Sequence, residues 1–156
     1  MYRAAINIIN RGMAGDPFVS VAVKNLNAYT RLANLLKQNS SRLEEAYILC
    51  QSAISIVPTH AVAHSVMGDI LLRMHRHPEA KTALTTALQL EWRNPTAHYN
   101  LGLVNQELGE EQKAEQNFRT ALSLSGNHPS LKVMLQLASA LQRSQDIKKL
   151  QDAEQL

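Results

Sequence analysis

Histidine and cysteine are the residues of this chain that could bind a metal ion or act as nucleophiles. The 156 residues include six histidines and one cysteine. His60 and His64 are four positions apart, so on a helix both imidazoles would lie on one face, as in zinc sites. A structural zinc site needs four ligands, however, and no carboxylate or cysteine is placed near this pair. The sequence therefore predicts no metal site and no cofactor.

The other reactive groups indicate a chain without catalysis. Cys50 falls at a large apolar position of a helical pattern, which favours a buried thiol over a nucleophile. The pairs Glu44-Glu45 and Glu110-Glu111 are adjacent in sequence, and adjacent side chains on a helix point in different directions. No phosphate-binding glycine loop, nucleophile elbow or HExxH motif occurs. We therefore expect that the chain is not an enzyme.

Composition restricts the class of protein further. Apolar residues make up 45% of the chain and aromatic residues 4%, and the abundance of leucine and alanine favours helices. No apolar stretch reaches the roughly 18 to 20 residues that cross a membrane, so we expect a soluble chain without a membrane span. A net charge of +3 is too small to indicate nucleic-acid binding, and no nucleic-acid partner is expected. The compartment stays open, although one cysteine and no signal peptide favour the cytoplasm.

Small residues recur at a period of 34 residues, and this repeat predicts how the helices are arranged. The columns that share the period are Ala46, Ala80 and Ala114; Ala53, Ala87 and Ala121; and Gly68 with Gly102. Small residues at fixed positions let two helices approach closely, while large apolar residues between them fill the remaining space. Each unit is therefore predicted to contain two helices joined by a short turn.

Turn residues mark the predicted helix boundaries. Pro78 and Pro95 fit first helical positions. Gly109 fits a helix C-terminal stop. The stretch Ser41-Arg42-Leu43-Glu44 fits a capping box, in which Ser41 and Glu44 satisfy the first free backbone N–H groups of a helix.

These columns resemble the tetratricopeptide repeat (TPR) family, whose 34-residue units stack into a superhelix. The stretch Tyr99-Asn100-Leu101-Gly102 closely resembles the family consensus, and Ala33 takes the small position of the first unit if that unit has one extra turn residue. The resemblance implies an all-α fold, a TPR-type α-α superhelix that is a right-handed solenoid of antiparallel helix pairs. It divides this single solenoid domain into the second helix of a truncated repeat (1–12), an insert with the start of an elongated helix (13–25), three full repeats (26–60, 61–94 and 95–128) and a partial or capping repeat (129–156).

Incomplete repeats are expected at both ends of the array. A solenoid buries each face against a neighbouring repeat, so an end needs either a polar capping helix or another repeat. The missing neighbours would be further repeats of a longer parent chain, or a second copy of this chain that associates through the incomplete ends. The sequence leaves open whether the chain is a fragment or an isoform of a longer protein.

The resemblance also implies a concave groove that is lined by the first helix of each unit and binds a peptide or helix of a partner protein. An apolar strip inside a polar, mostly basic rim is the expected anatomy of such a groove. The groove residues that the resemblance implies are Arg31, Asn34 and Lys37 in the first unit; Val62, Ser65, Val66, Asp69, Leu72 and Arg73 in the second; Thr96, Tyr99, Asn100, Leu103 and Gln106 in the third; and Lys132 in the partial fourth. The alternative is that these residues pack against another segment of the same protein.

One subclass of groove does not fit. TPR clamps for chaperone C-terminal carboxylates carry lysine, arginine and asparagine at set positions, of which Asn100 and Lys132 match. Ser65 and Asp69 do not match, and Asp69 is expected to repel a carboxylate where asparagine would donate hydrogen bonds. The sequence therefore predicts that the groove is not a chaperone-tail clamp.

The leading interpretation is a protein–protein interaction scaffold or adaptor that binds a partner peptide or helix in the groove. The alternative is a TPR region that recruits substrates within a larger enzyme, such as a glycosyltransferase. An RNA-binding helical repeat is less favoured, because basic or stacking residues should then recur at the period. In this chain alanine and glycine recur there instead.

Overall fold

The computed structural model describes the backbone of residues 17–126 and 130–154, and the side chains of residues 26–126 and 130–146. The predicted truncated repeat at 1–12 lies outside these described residues. Within them the chain forms seven α-helices, one 3-10 turn (Ser40–Arg42) and no strand. The helices are α1 (Pro17–Leu36), α2 (Leu43–Ile56), α3 (Ala61–Arg73), α4 (His77–Leu90), α5 (Pro95–Glu107), α6 (Glu111–Leu124) and α7 (Leu131–Glu154).

The helices pack in two layers. Short turns join α1 to α2, α3 to α4 and α5 to α6, and each of these pairs packs along its length. The first helices also touch one another, since α1 contacts α3 and α3 contacts α5. The first helices therefore form one layer, which is the layer that carries the predicted groove residues.

The 34-residue columns form the contacts between the layers. Every alanine of the columns is fully buried, namely Ala33, Ala46, Ala53, Ala80, Ala87, Ala114 and Ala121. The large side chains between them, such as Leu84 and Phe118, are also fully buried. Alternation of small and large residues is what allows two helix surfaces to interdigitate at close range.

Two glycines set the closest approach within a unit. A Cβ atom added to Gly68 would lie 2.4 Å from Leu84 Cγ, and one added to Gly102 would lie 2.5 Å from Cε1 of the Phe118 ring. Both distances are far below van der Waals contact between carbon atoms, which is about 3.5 to 4.0 Å. Where α3 crosses α4 and α5 crosses α6, any side chain larger than the hydrogen of glycine would force Leu84 or Phe118 to move.

The helix ends show which of the predicted helix starts and stops form in the structure. Pro95 begins α5, and the Asn94 side chain accepts a hydrogen bond of 3.0 Å from the backbone N–H of Ala97. Gly109 follows α5 with φ +73°, the left-handed conformation that closes a helix without a steric penalty in glycine. The capping box expected at Ser41 is not formed, because the Asn39 side chain accepts from the Ser41 backbone N–H and α2 begins only at Leu43.

No helix of the described part of the chain combines the length and the apolar character that a membrane span requires.

Gly102→Ala is expected to destabilise the fold by about 1–2 kcal/mol, because overpacking against Phe118 outweighs the gain of about 1 kcal/mol in helix propensity. Urea unfolding followed by circular dichroism measures the change. In a Phe118→Leu background the cost of Gly102→Ala should shrink, since the smaller side chain vacates part of the contact. An equal cost in both backgrounds would show that this contact does not limit the approach of α5 to α6.

Candidate functional site

The faces of the first helices form two adjoining depressions. The first, of about 250 Å³, lies between α1, α3 and α5 and is lined by Asn34, Lys37, Val62, Ser65, Val66, Asp69, Asn94, Thr96 and Asn100. The second, of about 420 Å³, lies between α3, α5 and α7 and is lined by Asp69, Leu72, Arg73, Pro95, Thr96, Tyr99, Asn100, Leu103, Ser125, Ser130, Lys132 and Val133. Because Asp69, Thr96 and Asn100 belong to both, the depressions form one continuous channel, which we call the groove.

The structure brings the groove residues expected from the sequence together, with two exceptions. Arg31 is exposed on α1 and lines neither depression. Gln106 lies on α5 outside both depressions, with its Nε2 atom buried. All the others line one depression or both.

Several lining residues were missed by sequence reasoning. Asn94, Pro95, Ser125 and Ser130 lie at or next to the boundaries between units, and Val133 is buried in the first turn of α7. The repeat assigns groove positions to the first helices only, whereas the walls of a depression also include the turns that lead into those helices. The Asn94-Pro95 helix start is the sequence signal for two of these residues, because it places them at the N-terminal end of α5.

Apolar side chains line part of each depression. Val62 and Val66 lie in the first, and Leu72 and Leu103 lie in the second. The ring of Tyr99 also lines the second depression, where its centroid lies 5.9 Å from that of the buried Phe118. Contact between Tyr99 and Phe118 ties the groove surface directly to the core, so the shape of the second depression depends on the packing of α5 against α6.

An ion-pair triad crosses the centre of the groove. Asp69 Oδ2 lies 2.6 Å from Lys37 Nζ, and Asp69 Oδ1 accepts a hydrogen bond of 2.9 Å from Arg73 Nε. The Asp69 and Lys37 side chains are only 12% and 15% exposed. Both carboxylate oxygens are paired, so Asp69 does not present the free negative charge that was expected to repel a carboxylate.

Two polar groups of the groove are buried without a partner. Tyr99 and Asn100 are 7% and 5% exposed, and neither Tyr99 Oη nor Asn100 Nδ2 has a hydrogen-bond partner among the described residues. Buried polar groups are normally paired, because burial without a partner costs about 1–3 kcal/mol. Both residues line the second depression, so the two unpaired groups lie just beneath its surface.

The residues first considered for chemistry lie away from the groove. Cys50 is fully buried in α2, and burial raises the pKa of its thiol to about 12 against the opposing attraction of Lys37. Burial, with repulsion from His64, lowers the pKa of His60. His64 Nε2 lies 2.8 Å from the Pro58 carbonyl oxygen. Among the side chains that the structure describes, no three histidine, cysteine or acidic residues are close enough together to hold a metal ion.

The comparisons with known proteins define the class. Residues 95–128 match the sequence model of the tetratricopeptide repeat family. The fold matches the Sgt2 TPR domain from Aspergillus fumigatus with a TM-score of 0.74 and 16% identity, over 80% of this chain and 82% of that one. The chain is a TPR array, and the described residues form an all-α TPR superhelix.

Two further solved structures carry bound peptides. The first TPR domain of Spaghetti (RPAP3), bound to the HSP90 peptide SRMEEVD, matches with a TM-score of 0.70 and 15% identity, over 77% of this chain and 93% of that one. The Yersinia enterocolitica chaperone SycD, in complex with a peptide of the translocator YopD, matches with a TM-score of 0.69 and 18% identity, over 78% and 95%. At these identities the likeness shows the fold alone.

The curated relatives are named as transferases. The chain is 36% identical over 149 residues to human protein O-mannosyl-transferase TMTC3, a match that covers 94% of this chain and 16% of the human protein. It is 38% identical over 110 residues to the mouse protein of that name, covering 70% of this chain and 12% of that one. The chain therefore spans about a sixth or less of the length of these relatives.

These relatives contradict the expectation that the chain is not an enzyme, since each is named as a protein O-mannosyl-transferase. The expectation was wrong because it was based on a search for catalytic groups within a repeat region. The period of such a region records helix packing, and packing positions carry no information on the activity of the protein to which the repeats belong.

Asp69→Asn is expected to lower the free energy of unfolding by about 2–3 kcal/mol, because it leaves the largely buried Lys37 ammonium without its counter-ion. Chemical denaturation measures the change. Glu115→Gln is the matched control, since it removes an i,i+4 pair with Arg119 on the surface of α6 and should cost less than about 1 kcal/mol. Equal costs for the two variants would show that the triad adds no more stability than a surface ion pair.

Cys50 is expected to resist alkylation in the folded chain. A pKa of about 12, compared with an ordinary value of 9.0, lowers the thiolate fraction near neutral pH by about a thousandfold. Labelling with iodoacetamide at mildly alkaline pH, read by mass spectrometry, should therefore be about a thousandfold slower in native buffer than in concentrated urea. Similar rates in the two solvents would show that the thiol is accessible in the folded chain.

Proposed function

We propose that this chain is the TPR region of a protein O-mannosyl-transferase and that its groove binds a polypeptide segment of the proteins to be modified. The relatives named as protein O-mannosyl-transferases support the first part of this proposal. The observation that carries the second part is the continuous groove, whose floor holds the buried, unpaired Tyr99 Oη and Asn100 Nδ2.

The chemistry of the groove suits a polypeptide better than a small molecule. The two depressions share lining residues, and each carries its own apolar patch, around Val62 in the first and around Leu103 in the second. An extended chain offers alternating side chains for such patches and main-chain carbonyl groups for unpaired donors. The RPAP3 and SycD structures, which hold peptides, are precedents for this use of the fold.

A repeat region of this kind contributes to a transferase by raising the local concentration of its substrate. Binding one segment of a protein makes the encounter of its hydroxyl groups with the catalytic region intramolecular, with effective concentrations of about a millimolar for short flexible linkers. The TPR fold is itself that of a protein-interaction scaffold. For a scaffold of this kind, the relatives named as transferases favour one use, the recruitment of protein substrates.

Photo-crosslinking tests this proposal. Val62 in the groove and Ile48 on α2, outside it, are both exposed apolar residues, at 44% and 53%. A photoreactive amino acid placed at 62 in the full-length transferase should capture polypeptides that carry O-linked mannose, and the same residue at 48 should not. Equal capture at the two positions, or capture at 62 of proteins without O-mannose, would contradict the proposal.

Substitution of the same residues provides the functional readout. Val62→Asp should weaken polypeptide binding about tenfold or more, because it places a carboxylate on an apolar contact surface, whereas Ile48→Asp should have little effect. Mannosylation of a protein substrate by the full-length enzyme should fall in parallel at limiting substrate. Unchanged mannosylation with Val62→Asp would show that the groove does not recruit substrate.

A further inference from the structure

We infer that the groove selects acidic, internal stretches of polypeptide and that Arg73 and Lys132 together bind one of their carboxylates in the second depression. This inference rests on the proposed function and adds the chemistry of the segment that is bound. Charge and unpaired hydrogen-bond donors are unevenly distributed over the lining residues, and this distribution favours an acidic ligand.

The charged residues that line the groove are Lys37, Asp69, Arg73 and Lys132. Three cations against one anion leave a formal charge of +2, and both oxygens of the single carboxylate are already occupied by Lys37 and Arg73. A concave surface with apolar walls concentrates the field of such an excess, which favours ligands of opposite sign.

Arg73 retains donors for a ligand. Its Nε donates to Asp69, whereas no acceptor in the described residues contacts its two terminal nitrogens, and the side chain is 46% exposed. A guanidinium group carries its N–H donors in a fixed planar fork that matches a carboxylate. Asp69 therefore orients the guanidinium through one edge and leaves the other edge for a second anion.

Lys132 is held on the opposite wall of the same depression. Its Nζ lies 4.9 Å from the centroid of the Tyr99 ring, and no carboxylate of the described residues lies within ion-pair distance of it. Cations elsewhere on the surface, such as Arg76, Arg119 and Arg143, do pair with carboxylates. Lys132 thus contributes a positive charge to the groove that the protein itself does not neutralise.

The uncharged polar side chains of the second depression also favour an acidic ligand. Asn100 Nδ2 is a donor only, and Tyr99 Oη donates or accepts. Both are buried without partners among the described residues, next to the cations. The polar atoms of the second depression that lack a hydrogen-bond partner are therefore mainly donors. Side-chain carboxylates and main-chain carbonyl oxygens are the acceptors that would pair with them.

The length of the bound stretch follows from the fold. Four first helices line the groove, and neighbouring helix axes lie about 9 Å apart, which gives a span of about 27 Å. An extended chain rises about 3.3 Å per residue, so the groove accommodates about eight residues. Ser65 and Asp69 stand at positions where terminal-carboxylate clamps carry other residue types, so the carboxylates are those of aspartate or glutamate side chains within a segment.

The test uses three labelled peptides of about eight residues, with acetylated and amidated ends, in which leucine or valine alternates with aspartate, asparagine or lysine. Fluorescence anisotropy with the full chain should give about tenfold tighter binding of the aspartate peptide than of the asparagine peptide, with the lysine peptide weakest. The preference for aspartate over asparagine should disappear in Arg73→Gln/Lys132→Gln and persist in the control Arg119→Gln. Lys132→Gln alone should reduce it, and this variant leaves the Asp69 triad intact.

The outcomes separate this inference from the proposed function. Equal binding of the aspartate and asparagine peptides would overturn the acidic preference, while the groove would still be a polypeptide site. A fourth peptide, the asparagine sequence with a free terminal carboxylate, should bind no better than its amidated form, and clearly tighter binding would show that the groove takes a chain terminus and not an internal stretch. Failure of all three peptides to bind would overturn both the inference and the proposed function.

Discussion

The close approach of two helices within each repeat unit is the constraint on which the rest of the structure depends. At Gly102 the surface of α6 is so near that an added methyl group would lie well within van der Waals contact distance of the Phe118 ring, and Gly68 lies equally close to Leu84. Interdigitation at such points fixes how each pair of helices is oriented, because interiors at crystal-like density do not deform gradually. The first helices then all face one side. The groove is a consequence of this packing. Through its contact with Phe118, the position of the Tyr99 ring in the groove depends on how α5 packs against α6.

A second interaction joins the units and sets the electrostatics of the groove. Lys37 follows α1 and Asp69 lies on α3, so their contact ties the first unit to the second. A largely buried ion pair adds little net stability compared with apolar packing, but its loss is costly, which makes it an effective device for fixing the relative positions of two elements. It also removes the one negative charge of the lining from contact with a ligand. Arg73 serves both purposes, since one edge of its guanidinium binds Asp69 and the other faces the depression.

The repeat region was predictable from the sequence where its residues record local geometry, and less so where a feature depends on contacts between units. The alanine columns and Gly102 mark helix crossings, so their spacing was sufficient to predict a superhelix of helix pairs. The pairing of Asp69 could not be predicted, because Lys37 belongs to another unit and its reach depends on how far that unit is rotated against the next. The helix start at Leu43 was also missed, since Asn39 competes for the backbone N–H of Ser41 and displaces the expected capping box. The columns carry no signal for the transferase relationship, but the relatives agree better with the alternative interpretation, a repeat region of a glycosyltransferase, than with the leading one.

The positions that determine the fold and the positions that determine binding are almost separate in this chain, and this separation explains why the fold was easier to predict. Packing uses the small residues and their large partners, such as Ala80 and Leu84, whose sizes are strictly limited by the space between helices. Exposed groove positions such as Val62 face solvent or ligand, so their side chains are less restricted by packing, whereas the buried Asp69 and Tyr99 also hold the superhelix together. Arg73 and Lys132 come from different units and line the same depression, so their combined charge follows from the superhelix and not from either unit alone. A region built in this way can change what its groove binds by substitution of a few exposed lining residues, while the helix packing stays as it is.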